Sequence, residues 1–182
     1  MFHRYNVYYF IDKFNRDEIA KLDKNIDIIF RNYENDLDEK LIKKIKLFCK
    51  KGNRKFYVAN NPKIAVKLNL DGVYIPSFNK SLSIKYFTNR KIEIIGSAHN
   101  FNEIKIKEKQ GVNKIFLSPA FKVKKRNYHL GIIKFNLLSK LTSKKIIALG
   151  GINNSNLNKI NLLNCSGFAS ISYLKEILKK NE

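Results

Sequence analysis

One recurrence constrains this chain more than any other feature. Eight short β-branched or aromatic runs are spaced along it, at residues 7–11, 26–30, 55–59, 72–75, 92–96, 114–117, 145–149 and 167–171. Several are apolar at consecutive positions, which suits parallel strands covered on both faces. Helical patterns lie between them. Leu37, Leu41, Ile42, Ile45 and Phe48 fall at helical spacing after the second run, and Phe101 and Ile104 begin another pattern after the fifth. Capping Asn residues open the segment 153–163, and Leu174, Ile177 and Leu178 form a stripe within 172–180. Segments 62–68 and 81–87 are short. Strand and helix alternating eight times predict an α/β chain closed as a compact (β/α)8 TIM barrel. The alternative, an open doubly wound sheet, needs fewer strands. At 182 residues the loops and helices must be near minimal, and 1–182 reads as a single domain.

Apolar residues make up 44% of the chain, enough for a core and too many for a disordered polyelectrolyte. No apolar run approaches the roughly 18–20 residues of a membrane helix, so no membrane partner is expected. The start, Met1-Phe2-His3-Arg4, leads into a strand-like run and does not read as a signal peptide. Two cysteines, Cys49 and Cys165, are too few for a disulfide scaffold and fit a cytoplasmic protein. With three scattered His (His3, His99, His129), they give no zinc spacing.

The formal charge is +21, from 36 Lys and Arg against 15 Asp and Glu. Such a charge points first to polyanions. Only six of the 36 are Arg, however, and the Lys are spread along the chain. Nucleic-acid readers favour Arg for bidentate contacts. A solvated basic surface is therefore the expectation, with nucleic acid not expected as a partner. A small anionic substrate steered by the field fits either reading. The oligomeric state is left open.

In a barrel the active site forms where strands end. The residues there are Arg31, Asn60-Asn61, 76–79, 97–100, 118–121, the basic run 122–129, 150–152 and 170–172. In this order they resemble thiamine phosphate synthase and its TenI relatives, over about residues 8–174. Arg31 matches an Arg after strand two. Asn60-Asn61 stands where the family has Asn-Asp. Asp71-Gly72-Val73-Tyr74 and a loop reaching Asn79 stand where the family has Asp-Gly-Val-His and a loop ending in Asp. Ser97, His99 and Asn100 resemble Ser-x-His-Asn. Ser118-Pro119-Ala120-Phe121 resembles Gly-Pro-Val-Phe, Gly150-Gly151-Ile152-Asn153 matches Gly-Gly-Ile-Asn, and Ser170-Ile171-Ser172 resembles Val-Val-Ser.

The resemblance implies small phosphorylated substrates: transfer of a hydroxymethylpyrimidine from its pyrophosphate to a thiazole phosphate. Gly151, Ile152, Ser170 and Ser172 would hold the thiazole phosphate, aided by backbone N–H groups at a helix start near Asn153. Arg31, Asn60 and the loop residues Lys125 and Arg126 would hold pyrophosphate, and Ser97 would face the leaving group. Asn60 reads equally as a cap for the helix after Pro62. The family lysine of the basic loop aligns with Lys125 or Arg126. At Asn61 and Asn79 the family has Asp residues that hold Mg2+; two neutral amides mark a degraded site with weakened Mg2+ affinity. Either the basic loop takes over charge neutralisation, or activity has drifted. The alternatives are a TenI-like isomerase, with His129 as a base because Pro119 stands at that branch's His, and a non-catalytic phosphate-ligand or polyanion-binding barrel.

Overall fold

A computed structural model describes residues 5–33, 38–123 and 128–180. The strands are β1 (Asn6–Ile11), β2 (Ile26–Phe30), β3 (Phe56–Ala59), β4 (Gly72–Ile75), β5 (Glu93–Ala98), β6 (Lys114–Leu117), β7 (Lys145–Leu149) and β8 (Gly167–Ala169). All pair in parallel in sequence order, and β8 closes on β1 through Asn6–Gly167, Val7–Phe168 and Tyr8–Ala169. The helices are α1 (Arg16–Ala20), α2 (Glu39–Lys51), α3 (Pro62–Lys67), α4 (Phe101–Lys109), α5 (Gly131–Ser139) and α6 (Ser172–Lys180). Two 3₁₀ segments, Leu82–Phe87 and Leu157–Leu162, replace helices after β4 and β7. The predicted closed barrel is thus the fold, and the open sheet is excluded by the β1–β8 pairing.

Alternation sorts the strand side chains into two cores. Val7, Tyr9 and Ile11 face the helices, whereas Tyr8 and Phe10 point into the barrel. There they meet Tyr57, Tyr74 and Phe116 edge to face, with Tyr8–Phe116 centroids 5.0 Å apart and Phe10–Tyr74 centroids 5.1 Å apart. Large rings let few strand residues fill the lumen.

The N-terminal end of the lumen is closed by a polar cluster. Lys114 Nζ lies 2.8 Å from Glu93 Oε1 and donates to Tyr8 Oη at 2.9 Å; Tyr57 Oη donates to Glu93 Oε2 at 2.6 Å. Burial alone would raise Glu93, but the bonds from Lys114 and Tyr57 outweigh it and hold the carboxyl below its ordinary range. Asp27 beside them is pushed up to about 6 by burial, against the Lys55 amide and the nearby lysines.

Several boundaries differ from the sequence expectation. Strand five runs on to Ala98, which puts Ser97 inside the sheet. The helix expected over 153–163 is the 3₁₀ segment Leu157–Leu162, because Asn153 Oδ1 takes the Ser155 amide in a turn instead of starting a helix. Helices α1 and α5 carry no clear signal in the sequence pattern. The first has five residues and one buried side chain, Ile19, too few for a period to show. The second is apolar on several faces and lacks a single stripe. Leu37, expected in the α2 stripe, lies outside the described residues.

Candidate active site

The C-terminal strand ends enclose a cavity of about 320 Å3. Arg31, Tyr74, Ser77, Ser97, His99 and Gly150 line it, with Ser118, Pro119 and Leu149 at the far wall. Tyr33 and Phe78 stand at its mouth, edge to face at 5.6 Å and both largely exposed. Larger hollows lie elsewhere. One of about 560 Å3 includes Arg54, whose guanidinium is spent on the Ile19 and Leu22 carbonyls, at the barrel end that serves stability.

Arg31 follows β2 directly, and its amide donates to Ile11 O at 2.7 Å. Its guanidinium lies 5.1 Å from the Phe10 ring centroid, which directs the side chain over the lumen. Ser97 and the Tyr74 phenol are both buried and line the cavity together. Burial raises the Tyr74 phenol, countered by Ser97 and by the charge of Arg31, so Tyr74 is a neutral group beside Ser97.

His99 Nδ1 lies 2.7 Å from the Ser118 carbonyl, and Nε2 lies 3.1 Å from Ser77 Oγ. A carbonyl only accepts, so in the neutral ring Nδ1 carries the proton and Nε2 accepts from Ser77. The His99 amide donates to Glu103 Oε2 at 2.8 Å, and the N-cap Asn100 Oδ1 accepts from the Glu103 amide at 3.0 Å, which together fix the start of α4.

Of the remaining expected residues, Asn60, Asn61, Asn79, Gly151, Ile152, Ser170 and Ser172 do not line this cavity, and they fall into two groups at the strand ends. On one side, Asn60 has a left-handed backbone (φ 58°), and its Oδ1 accepts from Asn79 Nδ2 at 2.7 Å. Asn61, not Asn60, caps α3, accepting the Ile64 amide at 3.0 Å. Asn79 Oδ1 accepts the Ser81 amide at 3.0 Å. On the other side, Gly151 has φ 75°, and a Cβ there would stand 2.3 Å from Phe121 O. Ser170 Oγ donates to Ile152 O at 2.8 Å and accepts the Tyr173 amide at 3.1 Å, tying the Gly151–Ile152 turn to the start of α6. Ser172, the first residue of α6, is exposed. Lys125 and Arg126 lie outside the described residues. His129 is exposed and does not line the cavity.

The donor set does not fit Mg2+. Asn61 and Asn79 offer neutral oxygens already engaged by amides, and hard divalent cations favour anionic oxygen. Among the described residues no group of three His, Cys, Asp or Glu is placed to hold a metal ion. Ser77 and Phe78 fall in the strand-end segment 76–79 that the sequence marked, but without an assigned role; Tyr33 is the added lining residue. Their signal was position alone, two to three residues beyond a strand end.

The chain resembles known proteins. The family model described as thiamine monophosphate synthase matches residues 22–174. A thiamine-phosphate synthase of Pelagibacter ubique is 35% identical over 144 residues, covering 76% of this chain and 69% of that protein. One of Prochlorococcus marinus is 35% identical over 125 residues, which is 65% of this chain and only 35% of the longer relative. One of Methanococcus vannielii is 28% identical over 119 residues, 64% of this chain and 58% of that protein. Among solved structures, a thiamine phosphate pyrophosphorylase from Pyrococcus furiosus superposes with TM-score 0.74 at 16% identity, over 97% of this chain and 96% of that one.

Proposed function

Since this chain belongs to the thiamine monophosphate synthase family, we propose that it joins a hydroxymethylpyrimidine pyrophosphate to a thiazole phosphate. The observation that carries this is the arrangement across one cavity. Arg31, Tyr74 and Ser97 line it together with Gly150, and the next residue, Gly151, continues the turn that Ser170 ties to the start of α6 through Ile152 O. A volume of about 320 Å3 is at the small end of ligand pockets, roughly 300–1,000 Å3. It suits single-ring substrates whose phosphates reach the rim.

In this reading the C–O bond to pyrophosphate breaks with its electron pair leaving on oxygen. The thiazole nitrogen then donates its lone pair to the pyrimidine methylene carbon. Arg31 offers planar, fixed charge to the departing pyrophosphate, with Asn60 beside it. Ser97, beside Tyr74, faces the leaving group. Gly151, Ile152, Ser170 and Ser172 place the thiazole phosphate at the opposite rim. Lys125 and Arg126 supply further positive charge from the basic loop. Mg2+ adds little at Asn61 and Asn79, and no step here is routed through it. Both substrates are small and anionic; no described helix is long and apolar enough to cross a membrane.

Pro119 lines the cavity where the isomerase branch has a His, so the synthase is favoured. The test is to supply both substrates to the purified protein and separate the products. Thiamine phosphate and pyrophosphate in equal amounts support the reading. Release of pyrophosphate without coupling, or no reaction by folded protein, contradicts it.

A further inference from the structure

Lys107 and Gln110 lie at the C-terminal end of α4 and are fully buried. Lys107 Nζ donates to the Pro76 and Asn79 carbonyls, each at 2.8 Å, and to Gln110 Oε1 at 2.9 Å. Gln110 Nε2 donates to the Asn79 carbonyl at 3.0 Å and the Ser81 carbonyl at 2.9 Å. Two buried side chains thus grip three carbonyls of the loop 76–81.

A buried ammonium is costly, and an apolar side chain of similar volume would pack there more cheaply. Burial pulls Lys107 down to about 8, against the opposing charge of Glu103. The strand beneath also gives way to it: a Cβ on Gly96 would stand 2.9 Å from Lys107 Cδ. What the lysine supplies in return is a fixed loop. That loop carries Ser77 and Phe78 of the cavity wall. It also carries Asn79, whose amide reaches across to Asn60 on the neighbouring loop.

A cation bridging carboxylates at the ends of β3 and β4 would draw these same two loops together. This chain has no carboxylate to offer at Asn61 or Asn79, and the two loops are held by other means. We infer that Lys107, with Gln110, is a positioning residue that assembles the β3 and β4 loops without a divalent cation. The inference rests on the synthase reading for the use of these loops, which would border the pyrophosphate side of the cavity.

Hydrogen exchange at the Asn79 and Ser81 amides tests it in the full chain. Both amides are bonded within the loop, to Pro76 O and Asn79 Oδ1. In the unsubstituted protein their exchange should be the same in EDTA and in Mg2+. In Lys107→Met it should rise by about tenfold or more, with strand amides unchanged. The KM for the pyrimidine pyrophosphate should rise while that for the thiazole phosphate stays put, a split that general weakening of the barrel would not give. Gln110→Leu, which removes two of the grips, takes the place of Lys107→Met should that variant not fold. Slower exchange on adding Mg2+, wild-type exchange in a folded variant, or an equal rise in both KM values would overturn the inference. A protein without turnover would contradict the synthase reading alone, because the exchange measurements need no substrate.

Discussion

Asn79 Nδ2 donates to Asn60 Oδ1 at 2.7 Å, so the loops after β3 and β4 meet through two neutral amides. The bond has a direction. Asn79 must supply the N–H, and an aspartate at that position would leave oxygen facing oxygen.

It follows that Asn61→Asp with Asn79→Asp makes the protein metal-responsive. Without Mg2+ the double variant should lose about 1–2 kcal/mol, from the lost amide bond and like-charge repulsion. Added Mg2+ should restore stability and bind measurably by calorimetry, whereas the parent protein's Tm should not respond to Mg2+. A double variant indifferent to Mg2+ would show that the loops cannot converge on a cation.

Arg31→Lys should separate charge from geometry. Lysine keeps the charge but loses the planar pair of donors. We expect kcat/KM for the pyrimidine pyrophosphate to fall roughly 10–100-fold, with little change in Tm, since the side chain is only half-buried over Phe10. Steady-state kinetics and a melting curve check both parts.

Gly151→Ala tests the opposite rim. The new Cβ would meet Phe121 O at 2.3 Å on a backbone with φ 75°. A stability loss of about 1–3 kcal/mol is expected, with the KM for the thiazole phosphate raised and that for the pyrimidine pyrophosphate nearly unchanged.

Asp27 gives a stability change with a defined pH window. Burial holds its folded-state pKa near 6, above the ordinary 3.8. Between these values the folded chain binds more protons than the unfolded one, so Asp27 costs stability increasingly as pH rises through the window, and fully above it. An asparagine side chain at this position would still accept the Lys55 amide, which Asp27 Oδ1 accepts at 3.0 Å. Asp27→Asn should therefore raise stability by about 1–3 kcal/mol at pH 8, with the gain fading towards pH 4. Denaturant melts at the two pH values measure it; a gain that is equal at both would refute the assignment.

Much of this was legible in the residues. Consecutive apolar runs such as Ile146-Ile147-Ala148 announce a strand buried on both faces, and eight of them in order leave few topologies. Arg31 and Ser97 were legible because each directly follows a run that reads as a strand, 26–30 and 92–96. The Asn60–Asn79 bond was not, because it joins loops 19 residues apart and depends on how β3 and β4 pair. Lys107 reads as one more surface lysine in a lysine-rich helix; only packing shows that it is buried. Asn153 reads as the start of a helix but forms a turn, because Asn serves turns as readily as caps.

The central claim is coupling at this cavity without reliance on Mg2+. The direct measurement is the rate of thiamine phosphate formation, followed as its fluorescent oxidation product, with both substrates present and either EDTA or Mg2+ added. The account predicts steady turnover in both, within a few-fold of each other. Folded protein that forms no product in either would contradict the synthase assignment, and turnover only with Mg2+ would contradict a site assembled by Lys107 and the two asparagines.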